Sequence, residues 1–438
     1  MNDFWRFLIG LVKMALFFGI TAAFYGCMAI SNPGLYADFK TAALTIGVFI
    51  VFHVMFMAIY GGYDIGTKSK KNVQNSVIIN TWLSDFVGFL WVIGFASSVT
   101  SVTDLLNSAG TLLFAVALQG VITLLLLKLG FAIYYYATKD SHTLYIVNEN
   151  TDQLKMLQNV RKRAEQLPGD KVVSASMEGL FEEIDKFENV FITDIPTEQR
   201  RTVIEYCYGR GKNILFTPEI SDIVEVTSGY RMFGDAIIFS SAKTELTLTE
   251  RILKRAFDIV GSIILLILSS PLFLVSAIMI KLDDHGKVFF TQLRATKGGK
   301  PFKILKFRTM SESDSTLPMQ ESDSRVTRAG RLLRATRIDE IPQFLNVLAG
   351  SMSLVGPRPE QMMYLHGFDG DYPEYEYRLR VKAGLTGFAQ IEGKYNTTNK
   401  EKLMLDLMYI QRYSLWLDLK LVLQTALVLL KDDSTEGF

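Results

Sequence analysis

The sequence has few of the side chains that build disulfide frameworks and metal centres. Its 438 residues include two cysteines, Cys27 and Cys207, and four histidines. Cys27 lies in an apolar run and Cys207 in a polar segment, so neither a disulfide framework nor a cysteine metal site is expected. This cysteine usage is typical of a reducing compartment.

Basic residues are sparse in the first 140 positions and crowd into 281–337. The 46 Lys and Arg residues nearly cancel the 45 Asp and Glu residues, so the net charge of +1 does not by itself indicate a partner. The hydrophobic content of 49% and the mean hydropathy of +0.21 are high for a soluble protein. We therefore expect a membrane protein with no nucleic-acid partner.

Four long apolar segments lie near residues 5–30, 39–62, 76–99 and 110–137. Each has the roughly 20 residues that a helix needs to cross the hydrocarbon core. Lysines follow the second segment, whereas the loops on the other side have almost no basic residues, so both ends of the bundle should be cytoplasmic. Asp85 is expected to face the bundle or the interface. The sequence thus predicts a four-helix transmembrane bundle over 1–140.

Short β-branched and aromatic runs alternate with amphipathic stretches from 142 to about 240. The runs are TLYIV at 143–147, KVVSAS at 171–176, NVFITD at 189–194 and NILFTP at 213–218. This pattern predicts a small parallel, Rossmann-like α/β domain over 141–240. The turn after the first run, NENTDQ, lacks the glycines of a dinucleotide-binding turn, which favours a structural or partner-docking role.

A fifth apolar segment, KRAFDIVGSIILLILSSPLFLVSAIMIKLDDHGK, is also long enough to span a membrane. Basic residues flank both of its ends, which favours placing both ends on the same face. Pro271 removes a helical hydrogen bond at its centre, and a serine such as Ser270 can satisfy a backbone group freed at membrane depth. We predict a re-entrant helix that is broken at Ser270 and Pro271; a kinked fifth span is the alternative.

The remaining segment combines many cations with two adjacent acids. The arginines can bind phosphates through bidentate hydrogen bonds, and all of these cations can instead hold anionic lipid headgroups. They are Arg294, Lys300, Lys303, Lys306, Arg308, Arg325, Arg328, Arg331, Arg334, Arg337 and Arg358. Arg331, Arg334 and Arg337 recur at every third residue, which predicts an amphipathic helix at an interface.

Asp339 and Glu340 follow this predicted helix directly. Adjacent acids near a helix start can simply complement the helix dipole or balance the arginines. Among phosphate-binding cations, one carboxylate can instead attack phosphorus as a nucleophile, while its neighbour holds Mg²⁺.

Four separated blocks resemble the catalytic domain of bacterial polyprenyl-phosphate sugar-1-phosphate transferases, the monotopic phosphoglycosyltransferase superfamily. In chain order they are KRAFDIVGSIILLILSSPLFLV, FFTQLRATKGGKPFKILKFRTM, RIDEIPQFLNVLAGSMSLVGPRP and KAGLTGFAQIEGKY. The upstream bundle and α/β domain look like those of the large subfamily, which initiates capsule, exopolysaccharide or O-antigen synthesis. The resemblance therefore identifies 250–438 as a monotopic catalytic domain with its re-entrant helix.

The resemblance also implies roles for individual residues. Asp339 would attack the β-phosphate of a UDP-sugar and release UMP, Glu340 would ligate Mg²⁺, and polyprenyl (undecaprenyl) phosphate would then accept the phosphosugar. Ser270 and Pro271 would anchor this site at the cytoplasmic face of the bacterial inner membrane. The residues that would hold phosphates are Lys306, Arg308, Arg334, Arg337 and Arg358.

Two positions depart from the family pattern. Ala295 or Thr296 stands where a glycine is usual, with the glycines displaced to Gly298 and Gly299, and Ala383 replaces the usual proline before GLTG. Both departures bear on local loop shape and on the sugar, for which glucose or galactose is expected, rather than on the reaction.

Two other readings remain open. A conventional glycosyltransferase would use the same donor and release UDP instead of UMP. A non-enzymatic scaffold of a polysaccharide assembly complex would explain the bundle and the α/β domain but would leave the acid pair unexplained. A bundle combined with an accessory domain also favours a homodimer.

Overall fold

The computed structural model describes residues 3–96, 101–139, 142–148, 171–240, 246–311, 325–362, 373–393 and 397–428. The chain divides into two compact units, Met1–Thr217 and Pro218–Phe438. From residue 149 onward the turn NENTDQ lies outside the described residues.

The first unit begins with four long helices. They are α1 (Asp3–Ser31), α2 (Phe39–Tyr60), α3 (Lys70–Trp91, continued by a π-helical turn over Val92–Ala96) and α4 (Val102–Thr138), with a one-turn helix, Gly34–Ala37, between the first two. A Cβ on Gly88 would collide with the ring of Phe24, so this glycine permits the close approach of α3 to α1. Asp85 is 2% exposed and accepts a hydrogen bond from Gln119 Nε2 at 3.0 Å, so it faces the bundle, as expected.

A four-stranded parallel sheet follows in the same unit. Its elements are β1 (Thr143–Val147), β2 (Lys171–Ser174), α5 (Leu180–Asp185), β3 (Asn189–Ile192), α6 (Thr197–Gly209) and β4 (Asn213–Phe216). The strand order is β2-β1-β3-β4, with Tyr145 opposite both Val172 and Phe191. Each of the four predicted runs therefore forms a strand, and the parallel α/β prediction is confirmed.

The second unit mixes helices with short sheets. Its elements are α7 (Ile220–Thr227), β5 (Gly229–Phe233), β6 (Ala236–Ser240), α8 (Leu248–Asp284), β7 (Phe289–Ala295), β8 (Pro301–Phe307), α9 (Arg328–Ala335), α10 (Gln343–Ala349), β9 (Ser353–Val355), β10 (Gly384–Thr386), α11 (Phe388–Ile391), α12 (Asn399–Gln411) and α13 (Leu415–Val428), with 3₁₀ segments at Lys297–Gly299, Ile338–Glu340 and Pro373–Arg380. The turn between β7 and β8 has both displaced glycines at positive φ, 70° for Gly298 and 72° for Gly299. Glycine adopts this conformation without the steric cost that other residues incur.

Helix α8 stays helical through Pro271. Because proline has no N–H to offer the carbonyl group four residues earlier, Ile267 loses its usual partner. The Ser270 hydroxyl donates to the Ile267 carbonyl oxygen instead, at 2.8 Å. This serine compensation agrees with the sequence-based prediction, although the helix is not interrupted at the predicted break, and the re-entrant path stays a prediction.

Five helices of the described chain are long and apolar enough to cross a membrane, namely α1, α2, α3, α4 and α8. Together with the parallel sheet, they identify the chain as a membrane protein that carries an α/β domain. The predicted domain boundaries and the number of helices that cross the membrane stay predictions.

Candidate active site

Asp339 and Glu340 lie in a 3₁₀ turn, Ile338–Glu340, that connects α9 with α10. The residue before the turn, Arg337, has a φ of 54°, which is uncommon for a residue other than glycine. The amphipathic helix was expected to include Arg337, but α9 ends at Ala335. The prediction was wrong for Arg337 because its left-handed backbone conformation ends the helix and redirects the chain before the acid pair.

Two cations from separate elements meet at Glu340. Lys306, on β8, places Nζ 2.8 Å from Glu340 Oε1, and Arg358, after β9, places Nη2 3.2 Å from the same oxygen. Lys306 Nζ lies 4.0 Å from Asp339 Oδ2, beyond hydrogen-bonding distance. The structure therefore brings together four of the predicted site residues, and the cations engage Glu340 more closely than Asp339.

The two adjacent carboxyl groups have pKa values displaced in opposite directions. Burial raises the pKa of Asp339 to about 6, although the positive charge of Lys306 opposes the rise. Burial would also raise the pKa of Glu340, but Lys306 and Arg358 together hold it well below its usual range. Glu340 is thus firmly ionised, whereas Asp339 is a more basic carboxylate that is still mostly ionised at neutral pH.

Of the remaining three predicted phosphate ligands, Arg334 and Arg337 act electrostatically on this pair, whereas Arg308 lies against Gly286. The charge of Arg334 lowers the pKa of Asp339, and that of Arg337 lowers the pKa of Glu340, so both contribute to the local positive potential. Arg334 Nε also donates to Thr309 Oγ1 at 2.8 Å. Arg308 is 8% exposed, and its guanidinium occupies the space that a Cβ on Gly286 would fill, just beyond α8.

The loop that carries Arg358 is fixed by backbone contacts of glycines. Gly356 N donates to the Thr386 carbonyl oxygen and Gly384 N to the Pro357 carbonyl oxygen, both at 2.8 Å. A Cβ on Gly356 would collide with the Lys382 carbonyl oxygen, so only glycine fits this approach. This close pairing of β9 and β10 sets where the loop leaves the sheet.

Sequence reasoning missed a buried ion cluster behind the same loop. Arg378, 4% exposed, donates to the Arg358 carbonyl oxygen at 3.1 Å and lies 3.0 Å from Glu360 Oε1 and 2.8 Å from Asp406 Oδ2. The pKa of Asp406 is raised to about 6 by burial, against the pull of Arg378. The sequence signal was a lone acid among apolar residues of α12, LMLDLMYI, which is typical of a paired buried charge.

A shallow cleft beside this loop is lined by Pro357, Arg358, Tyr375 and Val381, among others. The lining is mainly apolar, apart from the charged groups already described.

Within the described residues, no group of three or more histidine, cysteine, aspartate or glutamate side chains is arranged to hold a metal ion. Mg²⁺ commonly takes only one or two carboxylates and completes its coordination with water and substrate phosphate oxygens. Glu340 fits that requirement in charge, because its carboxylate is held ionised, while the printed contacts of Lys306 and Arg358 are both to its Oε1.

Comparison with known proteins places this site in a family. Residues 249–432, from the start of α8 to beyond α13, match the family model described as bacterial sugar transferase. A protein of Caulobacter vibrioides named UDP-glucose:undecaprenyl-phosphate glucose-1-phosphate transferase is 46% identical over 189 residues, which cover 41% of this chain and 71% of that protein. The chain belongs to the bacterial sugar transferase family. The sequence-based prediction of a sugar transferase of this kind is thereby confirmed.

The names of two further relatives of this bacterial sugar transferase specify different sugars. An Aeromonas hydrophila protein named UDP-N-acetylgalactosamine-undecaprenyl-phosphate N-acetylgalactosaminephosphotransferase is 45% identical, over 40% of this chain and 42% of its own length. An Escherichia coli UDP-glucose:undecaprenyl-phosphate glucose-1-phosphate transferase is 41% identical, over 49% of this chain and 48% of its own length. The chain thus spans about half the length of these two relatives.

Proposed function

We propose that this bacterial sugar transferase moves a sugar 1-phosphate from a UDP-sugar to undecaprenyl phosphate, releasing UMP, through a covalent intermediate on Asp339. The names of the relatives support the transfer reaction. The covalent intermediate is supported by the environment of the buried Asp339. Lys306 lies closer to the neighbouring Glu340 than to Asp339. A basic, incompletely paired carboxylate is the better nucleophile of the two.

The chemistry is a double displacement at phosphorus. Asp339 Oδ attacks the β-phosphorus of the donor, and the bond to the bridging oxygen breaks, so that UMP leaves with the electron pair. An oxygen of undecaprenyl phosphate then attacks the same phosphorus and expels the Asp339 carboxylate, which restores the enzyme. Lys306, Arg308, Arg334, Arg337 and Arg358 stabilise the phosphate charges, and Glu340 would hold Mg²⁺, which supplies further charge neutralisation when bound.

The proposed location is the cytoplasmic face of the bacterial inner membrane, where both substrates are present. The basic residues at both ends of α8 support a re-entrant path through one leaflet. The bonded Ser270 hydroxyl lowers the cost of Pro271 at membrane depth, whether α8 re-enters or spans. The four N-terminal helices would span the membrane, a homodimer is the proposed assembly, and the reaction would be the first membrane step of exopolysaccharide, capsule or O-antigen synthesis.

Nucleotide release from the purified full-length protein tests this proposal. The protein is supplied with Mg²⁺, undecaprenyl phosphate and a panel of UDP-sugars, and wild type is compared with Asp339→Asn. Asp235→Asn is the matched control, because Asp235 is exposed in the turn between β5 and β6. We expect UMP from wild type and the control with one donor, and none from Asp339→Asn.

Other products would identify a different function. Release of UDP would indicate a glycosyltransferase that transfers the sugar alone, and UMP release that survives Asp339→Asn would rule out the covalent route. A protein that releases neither nucleotide with any donor would point to the scaffold role.

A further inference from the structure

The first turns of α8 are held against β9 by a buried ion network. Lys254 Nζ lies 2.6 Å from Asp418 Oδ2 on α13 and 3.4 Å from Asp258 Oδ1 on its own helix. It also donates to the Val355 carbonyl oxygen, at 3.2 Å. Asp418 is fully buried and Asp258 is 2% exposed, so removal of Lys254 would leave two buried carboxylates without this cation.

The same network bonds to every residue of β9. Asp258 Oδ1 accepts hydrogen bonds from Ser353 Oγ at 2.9 Å and from Leu354 N at 3.0 Å. The Tyr409 hydroxyl lies 3.1 Å from the Val355 carbonyl oxygen and 2.9 Å from Asp418 Oδ1, and it can donate to either. The position of β9 is therefore set by side chains that reach it from α8 and α12, and Asp418 on α13 holds two of them in place.

Val355 leads directly into the loop that carries Arg358, which engages Glu340. Arg255, the next residue of α8, donates to the carbonyl oxygens of Val347 and Leu348, both at 2.7 Å, at the end of α10, the helix that follows the acid pair. The start of α8 thus holds both α10, which follows Glu340, and β9, which leads to Arg358. A purely stabilising role for so many buried charges is a poor explanation, because a buried ion pair is often no more stable than an apolar replacement.

We propose that Lys254, Asp258, Asp418 and Tyr409 form a positioning network that fixes the Arg358 loop relative to the membrane helix α8 and thereby tunes donor binding. In the contacts of the described residues, the network reaches the loop through β9, whose last residue, Val355, leads into it, so its residues act through Arg358 rather than on the substrate. This inference rests on the proposed function for the role of Arg358 in holding the donor phosphates.

A double-mutant cycle on donor binding tests the network. Binding of UDP, the part shared by all UDP-sugars, is measured calorimetrically with Mg²⁺ on the full-length Asp339→Asn protein, in which no turnover occurs. Lys254→Met, Arg358→Gln and their combination are introduced into it. Arg251→Met is the matched control, because Arg251 is an exposed cation on the same helix that donates to the Leu246 carbonyl oxygen.

We expect Lys254→Met and Arg358→Gln each to weaken UDP binding by about tenfold, the effect of losing one charge-assisted hydrogen bond. The combination should bind UDP no more weakly than Arg358→Gln alone, because displacing the loop matters only through the Arg358 contact, which is already absent. Arg251→Met should bind UDP as tightly as the parent protein. If the two effects multiply, or if Lys254→Met leaves binding unchanged, the network does not act through Arg358.

Two further measurements keep the test decisive. If Lys254→Met does not fold, Tyr409→Phe removes only one hydroxyl, and its weakening of UDP binding should likewise disappear in the Arg358→Gln protein. UMP release by the wild type is measured in parallel. Absence of release would contradict the proposed function, whereas release together with multiplicative binding effects would contradict only the positioning network.

Discussion

Replacement of Asp339 by asparagine should make the protein more stable at alkaline pH while it abolishes turnover. Burial raises the pKa of Asp339 from 3.8 to about 6 in the folded protein, so folding favours the protonated acid. That favourable contribution is complete below pH 3.8 and is lost as the pH rises through 6. Asparagine stays neutral at every pH and avoids the loss.

The size of the effect follows from the two pKa values. One pKa unit is equivalent to 1.36 kcal/mol, so the difference between 3.8 and about 6 gives roughly 3 kcal/mol over the whole range. Between pH 5 and pH 8 the change is about 1.4 kcal/mol, because the unfolded acid is already mostly ionised at pH 5 and about half of the loss has occurred below that pH. This corresponds to roughly 3–6 °C in the melting temperature of a unit of this size.

Thermal unfolding at pH 5 and pH 8, in Mg²⁺-free buffer, measures the effect directly. The melting temperature of wild type is subtracted from that of Asp339→Asn at each pH, and the two differences are compared. Titrating groups that do not interact with Asp339 cancel in that comparison, and Asp235→Asn serves as the exposed control. A difference that does not increase between pH 5 and pH 8 would show that the pKa of Asp339 is not raised by burial.

Three other predictions concern catalysis, the buried ion cluster and topology. Because Asp339 must be ionised to attack, kcat/KM for UMP release should fall about tenfold per pH unit below about 6; a flat profile down to pH 5 would contradict this. Arg378→Met should cost about 3–5 kcal/mol of stability, because it leaves Asp406 buried without its cation, whereas Arg380→Met, at an exposed neighbour, should have little effect in urea unfolding. A cysteine at Lys287, after α8, should react with a membrane-impermeant reagent added to the cytoplasmic side; labelling from the other side only would mean that α8 spans the membrane.

The sequence was most informative where one local signal determines the structure. Each of the four β-branched runs forms a strand, because β-branched and aromatic residues fit the pleated surface of a sheet. The order β2-β1-β3-β4 is not contained in that pattern, since it depends on how the crossovers pack. Apolar length likewise identified the long helices, whereas the helical backbone through Pro271 depends on a specific serine hydrogen bond.

In the site, too, features set by neighbouring residues were predictable, whereas features set by contacts between distant residues were not. Asp339 and Glu340 were recognisable from their cationic neighbourhood and from the family resemblance, and the structure places Lys306 and Arg358 beside them. Arg337 was misplaced, because spacing alone does not reveal a positive φ. The pair of Arg378 and Asp406 was missed, since residues 28 positions apart in the sequence show no joint signal until the chain is folded.

The different environments of the two acids predict that their side-chain lengths are not interchangeable. Successive residues of a 3₁₀ turn point about 120° apart, so Asp339 and Glu340 lie at different distances from the same cation although they are adjacent. Glu340 reaches Lys306 at 2.8 Å, whereas the shorter Asp339 stops 4.0 Å from the same nitrogen. In Asp339→Glu, the added methylene would let the carboxylate pair with Lys306 and would move it away from its line of attack.

UMP release by Asp339→Glu should therefore fall about 100-fold although the charge is preserved, since a misplacement of about 1 Å can cost that much. Glu340→Asp is the companion variant, because a shortened side chain loses contact with Lys306 but leaves the nucleophile in place. It should retain more activity than Asp339→Glu at saturating donor. Equal rates for the two variants, or a near wild-type rate for Asp339→Glu, would mean that activity depends on the total charge and not on the length of each side chain. The division of roles between the two acids would then have to be abandoned.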